Sequence, residues 1–566
     1  MPPLPLRIVV GLLFLVGGGW GDAARAALPP ADTTEATPHW IFLAPRPPTV
    51  HASPADPNAQ ERRRRRGSNG TARLTRPVAP GYLAALRAAG VTPRVQSRWL
   101  HAVSANLTPS QRRHIDRLPF VRRTHPVARF TPTDTQQTAH PQAVRSPVFV
   151  SRPVVSPTPA DSAFYGPSYT QLRVMNALPL IERGIHGDGV RLGFLDTRYR
   201  GLQHPVFDAL RDDGRLLGLR DFAGGTQTNN HGGAVVSVAV GYAPGVLIGP
   251  AHRAEVLAAT TEYTPSERNV EEDYFVAGLE WMEARGADVV NVSLGYAQFD
   301  EGERSYTTDD LDGDTGVTTR AVDAAAQLGM AVVVSAGNSG CDDPSNCWFY
   351  VSTPADADSS ITVGGVHADG SIVSFSSRGP TADGRIKPDV VAQGQGVVVA
   401  WNEDQYVESG GTSFASPMVA AVVAQMLQVN PDLTPMQVRR LLRTTADQSA
   451  RPDNTRGWGL LDADAAVRAA EHQARLSPPP ALVVRPPAPN PARTETTFSV
   501  EVPRGVSSLD VSLFDVLGRR VAHEVRSVRP GPNRLTFTVD ALPPGVYLYR
   551  LHGAERVATG KLVILR

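Results

Sequence analysis

Between residues 163 and 475, short apolar runs alternate with alanine-rich, helix-patterned segments, and this alternation is the strongest constraint the chain carries. The apolar runs fall at 190–195, 254–259, 287–292, 330–335 and 361–366, and the helical patterns at 272–285, 318–328 and 416–429. Strands that are nearly continuous in apolar residues need cover on both faces. The pattern therefore predicts an α/β domain: a mostly parallel sheet with helices on both sides.

The 566 residues amount to three or four domains of about 150 residues each, so the rest must be divided too. Residues 28–130 read as a small α+β unit. Its strand signal is His39-Trp40-Ile41-Phe42-Leu43, and Leu107-Thr108-Pro109-Ser110 leads into a helix. The five consecutive arginines at 62–66 inside it read as a solvated loop, because like charges in a row repel and seek water. Residues 131–162 are Thr, Pro, Ser and Val without periodicity and read as a linker; a second linker, 476–494, contains Ser477-Pro478-Pro479-Pro480. From 495 to 566, period-two runs at 496–502, 509–514, 534–539 and 546–551 predict a small all-β sandwich.

Composition excludes several classes of function. With 41% hydrophobic and 20% charged residues the chain is neither disordered nor fibrous. Fifty-six basic against 55 acidic residues leave +1, so no global field draws it to nucleic acid or an acidic membrane. Residues 1–27 place Arg7 before an apolar run at 8–16, then Gly17 to Gly19 and small residues around Ala24-Arg25-Ala26, the layout of a secretory signal peptide. That run is shorter than the roughly 20 residues a stable membrane span needs, and no later uncharged segment is expected to reach that length. In an oxidising compartment the only two cysteines, Cys341 and Cys347, can close a small disulfide loop; two unpaired thiols are the alternative.

Three separate places in the α/β region carry chemistry. Asp196 ends the apolar run Phe194-Leu195-Asp196, where parallel sheets present ligands and catalysts. His231 stands in Asn230-His231-Gly232-Gly233 at the mouth of a small-residue helix. Ser413 lies in Ser409-Gly410-Gly411-Thr412-Ser413-Phe414-Ala415-Ser416-Pro417-Met418, a glycine-rich approach to an apolar helix, with Pro417 expected in its first turn. Each residue alone has a bland structural explanation. In the order Asp, His, Ser, and with the stretch GTSFASP, they resemble the subtilisin-like serine proteases. Ser335-Ala336-Gly337-Asn338 resembles that family's oxyanion segment and Asn291-Val292-Ser293-Leu294-Gly295 its substrate strand.

The resemblance implies a subtilisin-like fold over roughly 165–475 and a catalytic triad of Asp196, His231 and Ser413. It also implies an oxyanion donor in Asn338, and Ser293, Leu294 and Gly295 as the strand that pairs with substrate. Two departures from the family stand out: Arg198 replaces a common Gly, and Gly233-Ala234 replaces the usual Thr-His. They support an alternative, a catalytically impaired scaffold that serves as a surface binding or adhesion protein. A serine esterase is disfavoured, since no Gly-x-Ser-x-Gly elbow surrounds Ser413. No cofactor is required by this chemistry. Asp309-Asp310-Leu311-Asp312-Gly313-Asp314 invites a Ca2+ reading, against which a solvated acidic loop or helix cap is weighed. His204 and His252 are given structural roles.

Two flanking resemblances complete the reading. Trp99-Leu100-His101-Ala102-Val103-Ser104-Ala105 and Leu118-Pro119-Phe120-Val121 resemble a subtilase propeptide. Pro489-Asn490-Pro491, Phe514-Asp515-Val516-Leu517-Gly518-Arg519 and Leu542-Pro543-Pro544-Gly545-Val546-Tyr547 resemble the sorting domain of type IX secretion substrates. Together they imply a secreted or cell-surface serine endopeptidase, made as a zymogen and exported by way of the periplasm. Its partners would be peptide substrates, its own propeptide and the type IX machinery, with no nucleic acid and no stable membrane span.

Overall fold

The structure, a computed structural model, describes residues 36–127 and 162–565 apart from 48–49, 53–54, 69–70, 225–229, 342–349, 403, 477–481, 504–505, 530 and 554–555. The expected signal peptide, the linker before residue 162 and the hinge at 477–480 lie outside the described residues.

The first unit is α+β, as expected. It comprises β1 (Thr37–Leu43), α1 (Pro57–Arg66), α2 (Pro80–Ala88), β2 (Val95–Ser97), β3 (Ala102–Leu107), α3 (Pro109–Ile115) and β4 (Val121–Pro126). The strands form an antiparallel sheet in the order β2-β3-β1-β4. Alternation sorts its residues: Ile41, Leu43, Val103 and Ala105 pack with Leu86 of α2 and Ile115 of α3, while Trp40, Val95 and Ala102 face the other way. Thr108 and Gln111 start α3 with a capping box. The expectation of a solvated loop at 62–66 is overturned. The arginines form the second half of α1, and Arg62 and Arg66 are buried. Their partners lie in the next domain, which is why a reading of local charge missed them.

The second unit is built on seven parallel strands: β5 (Arg191–Asp196), β6 (Leu216–Asp221), β7 (Glu255–Thr260), β8 (Val289–Val292), β9 (Ala331–Ser335), β10 (Ile361–Val366) and β11 (Val390–Gln393). Their order is β11-β10-β9-β8-β5-β7-β6, with every pairing parallel. Helices α4 (His231–Val240), α5 (Val270–Ala284), α6 (Val317–Gln327) and α7 (Thr412–Val429) cover it. The pleat divides the core in two. Leu192, Phe194, Ala331 and Val333 join α4 and α7, while Leu195, Val290, Val332 and Val334 join α5 and α6. A hairpin of β12 (Gln395–Trp401) and β13 (Gln405–Gly410) leads into α7.

Helix α7 begins four residues before the expected 416, so Ser413 stands in its first turn and Pro417 in its second. It is also the single helix among the described residues long and apolar enough to cross a membrane; 89% of that span is buried, because it runs through the core. Cys341 is disulfide-bonded, and Cys347 lies outside the described residues.

The carboxyl-terminal unit packs a three-stranded and a four-stranded antiparallel sheet around Phe498, Leu513, Phe537 and Leu551. Besides the two-residue strand Val483–Val484 inside the expected 476–494 linker, two longer strands, Arg520–Ser527 and Arg556–Ile564, were not foreseen. Both are edges of the four-stranded sheet, where polar and charged side chains are tolerated and blur the alternation.

Candidate active site

The carboxyl ends of the parallel strands meet at one edge, and the chemically marked residues collect there. Asp196 closes β5 and is fully buried; its Oδ1 accepts from the Thr197 N–H at 2.7 Å and lies 2.7 Å from Nδ1 of His231, the first residue of α4. With Nδ1 engaged, the imidazole offers Nε2 to the far side. The His231 ring lies 5.5 Å from that of Phe414, the neighbour of Ser413, so the start of α4 and the start of α7 abut. Ser413 itself is buried.

Asn338 follows β9. Its Oδ1 accepts from both the backbone N–H and the hydroxyl of Thr412, each at 2.9 Å. Holding the acceptor end this way turns the Nδ2 donors outward. A carbon added to Gly411 would sit 3.5 Å from Asn338 Nδ2 and 3.7 Å from the Ser413 nitrogen, so the two donors flank one small space. Gly411 has φ +151° there and adds no side chain of its own to that space, which the Phe414 ring also borders at 3.7 Å. Thr412 was missed as a positioning residue, although it stands inside the quoted GTSFASP stretch.

Pro417 has a consequence for the same site. Lacking an N–H, it cannot donate to the carbonyl four residues earlier, which is that of Ser413. That oxygen accepts from Ser293 Oγ instead, at 2.8 Å. Ser293 Oγ in turn accepts from Asn291 Nδ2 at 2.9 Å, and Ser416 Oγ donates to Asn291 Oδ1 at 2.7 Å. The end of β8 is thereby laced to the first turns of α7. Beyond Ser293, Leu294 is half-buried and Gly295 exposed, and neither makes a backbone–backbone hydrogen bond among the described residues. An extended peptide can add there as a strand.

The two departures from the family pattern have local accounts. A carbon on Gly233 would lie 2.4 Å from Asn230 Oδ1, which accepts from the Gly201 N–H at 2.6 Å; glycine lets that side chain fold back over the turn after Asp196. The Arg198 guanidinium stands 3.7 Å from Asp221 on the wall of an open cleft of about 790 Å3, shared with Arg200, Leu219, Asn230 and Asp404. His204 and His252 are buried against backbone groups: His204 Nδ1 accepts from the Val206 N–H, and His252 Nδ1 meets the Gly249 carbonyl.

The 309–314 carboxylates do not converge as a calcium cage would require. Asp310 takes the N–H and hydroxyl of Thr307, and Asp312 the N–H groups of Asp314 and Thr315. Among the described residues, the carboxylates that do converge are Glu262, Glu267 and Glu271, with oxygens within 4.8 Å of one another. Glu262 accepts from the Tyr296 hydroxyl, and Glu271 from the Tyr263 and Arg268 N–H groups. Burial first, then the neighbouring charge of Glu262, pushes Glu271 up to about 8.

A model of the subtilase family matches residues 220–459, one of the peptidase S8 propeptide domain of Bacteroidota matches 39–143, and one of the secretion system C-terminal sorting domain matches 488–565. Subtilisin DY of Bacillus licheniformis is 31% identical over 312 residues, which cover 51% of this chain and 97% of the relative. Subtilisin Savinase of Lederbergia lenta is 30% identical over 294 residues, covering 51% and 94%. Serine protease AprX of Bacillus subtilis is 28% identical over 330 residues, covering 53% and 71%. The chain belongs to the subtilase family: it is a subtilisin-like serine endopeptidase, made as a zymogen with an amino-terminal propeptide domain and a sorting domain of type IX secretion at its other end.

Proposed function

We propose that the enzyme cleaves peptide bonds through an acyl-enzyme formed on Ser413, with His231 as the base and Asp196 as its orienting partner. The observation that carries this reading is the 2.7 Å contact between Asp196 and His231 Nδ1, set against the start of α7 where Ser413 stands. A serine hydroxyl is a poor nucleophile at its own pKa, so His231 takes its proton as Oγ attacks the peptide carbonyl, then returns it to the leaving amine. Buried Asp196 fixes the tautomer in which Nε2 is the accepting nitrogen, and stabilises the imidazolium that forms. The carbonyl oxygen gains charge as its carbon becomes tetrahedral, and Asn338 Nδ2 with the Ser413 N–H donate to it. Water then repeats the sequence on the ester and frees the acid. No step is routed through a metal ion.

Substrate is held as a strand added along Ser293, Leu294 and Gly295. Backbone pairing tolerates many sequences, which gives an endopeptidase of broad preference. Export passes through the periplasm and then across the outer membrane, directed by the tail.

A serine-directed fluorophosphonate probe tests the reading. Matured protein labels, and Ser413→Ala abolishes the label while the Asp196–His231 pair remains. Matured, folded protein that takes no label would favour the impaired scaffold that Arg198 and Ala234 suggest.

A further inference from the structure

Arg62 and Arg66 of α1 are buried against the opposite edge of the sheet from the active site, with Arg63 half-buried beside them and Arg64 and Arg65 exposed. Helices α5 and α6 both end there, each followed by a glycine with φ above +80°, Gly286 and Gly329. Helix α1 lies directly on these two glycines. A carbon on Gly286 would sit 2.9 Å from Asn58 Cβ, and one on Gly329 2.8 Å from Arg66 Cβ.

The last carbonyls of a helix lack intrahelical donors and carry the negative end of its dipole. Arg62 supplies what both ends lack. It donates to the Glu283 carbonyl at 3.2 Å, to that of Leu328 at 3.3 Å, and to that of Ala287. It also pairs with the Glu283 carboxylate. Arg63 grips that carboxylate with two bonds, at 2.8 and 2.7 Å, and Arg98 adds a third guanidinium at 2.6 Å. Arg66 spans from Asp288 at 2.8 Å to the Pro431 carbonyl at 2.7 Å. The Ser68 N–H donates to the Gln327 carbonyl at 2.8 Å and continues the contact past the helix.

The propeptide sheet docks along the side of α5, and Arg98, just after β2, joins the two contacts by donating to both the Glu280 carbonyl and the Glu283 carboxylate. There Glu280 accepts from Ser97 Oγ at 2.6 Å and from the Trp99 N–H at 3.1 Å, and Asp273 takes Ser104 and Arg94. We propose that the joint carboxyl ends of α5 and α6, with Glu283 and Asp288, are a second docking site for the propeptide, filled by the arginine helix, and that this site retains the propeptide after the connecting chain is cut. Cleavage within 131–162 removes none of these contacts. The propeptide then departs when α1 leaves the base of the peptidase domain, not when the linker is severed. The inference rests on residues 36–127 acting as the propeptide.

The test uses the full chain with Ser413→Ala and a recognition sequence for a site-specific protease inserted within 131–162, so that cutting does not depend on self-cleavage. After the cut, the dissociation constant of the amino-terminal fragment is measured by gel filtration over a dilution series. The fragment should stay bound, and Arg62→Ala/Arg63→Ala/Arg66→Ala should weaken it about a hundredfold or more, since together they take two of three guanidiniums from buried Glu283 and the Arg66 guanidinium from Asp288. Glu283→Gln should weaken it from the other side and couple non-additively with Arg63→Ala. If the triple variant fails to fold, that two-residue cycle decides. Equal affinity in all variants, or immediate loss of the unaltered fragment, overturns the proposal. Neither result bears on the triad, which fluorophosphonate labelling of the Ser413 protein reads separately.

Discussion

At the carboxyl edge of the parallel sheet, the buried Asp196 is answered by His231 and the Thr197 N–H, both from its own domain. At the amino edge, the buried Glu283 is answered by Arg62, Arg63 and Arg98, all from the propeptide. A carboxylate withdrawn from water needs donors wherever it sits. When both partners belong to one domain, the arrangement outlasts maturation. When they do not, it lasts only as long as the complex. The same physics thus yields a permanent site on one edge and a releasable contact on the other.

The largest effect should separate the two edges completely. His231→Ala removes the base and should lower kcat by about 10^4 to 10^6, the range known when triad members are lost in subtilisin, a relative. Retention of the cut propeptide should not change. Steady-state kinetics and gel filtration on the same preparation check both halves, and a weakened complex would mean that the edges communicate. Asn338→Ala should cost about 10^2 to 10^3 in kcat, again the size known for the corresponding donor in subtilisin, with little change in KM, because the bond strengthens only as charge develops.

Ser293→Ala tests the lacing within the catalytic edge. It leaves the buried Ser413 carbonyl without a donor, since Pro417 cannot supply one, and should destabilise the domain by about 1–3 kcal/mol. Denaturant unfolding measures it. Restoring an N–H with Pro417→Ala in the same chain should recover part of the loss.

What the sequence disclosed follows the same division. The chemistry of the carboxyl edge was legible because each piece is short and sits at a strand end or helix start: Asp196 after an apolar run, His231 before small residues, Ser413 after glycines. Arg62, Arg63 and Arg66 were misread because their acceptors stand more than 200 residues away, and two of the three carbonyls that Arg62 meets become acceptors only where helices end. Gly233 looked like a departure because the need for it, room for Asn230 over the Gly201 turn, is a contact between segments. The edge strands Arg520–Ser527 and Arg556–Ile564 escaped because half their neighbours are solvent.

The smallest prediction concerns pH and the two ends of α5. Near its start, burial and then the charge of Glu262 raise Glu271 from 4.5 to about 8. Near its end, burial pushes Glu283 upward, but the guanidiniums of Arg63, Arg62 and Arg98 outweigh it and hold the group below its usual value. The signs are opposite. Glu283 contributes stability that is fully present above the unfolded value of 4.5 and is lost as pH falls through its lower folded value. Glu271 is protonated in both states below 4.5 and contributes no pH dependence there; between 4.5 and about 8 the unfolded chain surrenders a proton that the folded one keeps, so stability declines. In the uncut Ser413→Ala chain, Glu271→Gln should therefore flatten the fall in the urea midpoint between about pH 5 and 8. Glu283→Gln should flatten the acid side alone, below about pH 4.5, while lowering the neutral midpoint. After the propeptide is cut and displaced, the Glu283→Gln effect on the acid side should vanish and the Glu271→Gln effect should persist, because only the first depends on residues that have left. A Glu283 contribution unchanged by displacement would show that its partners belong to the peptidase domain after all.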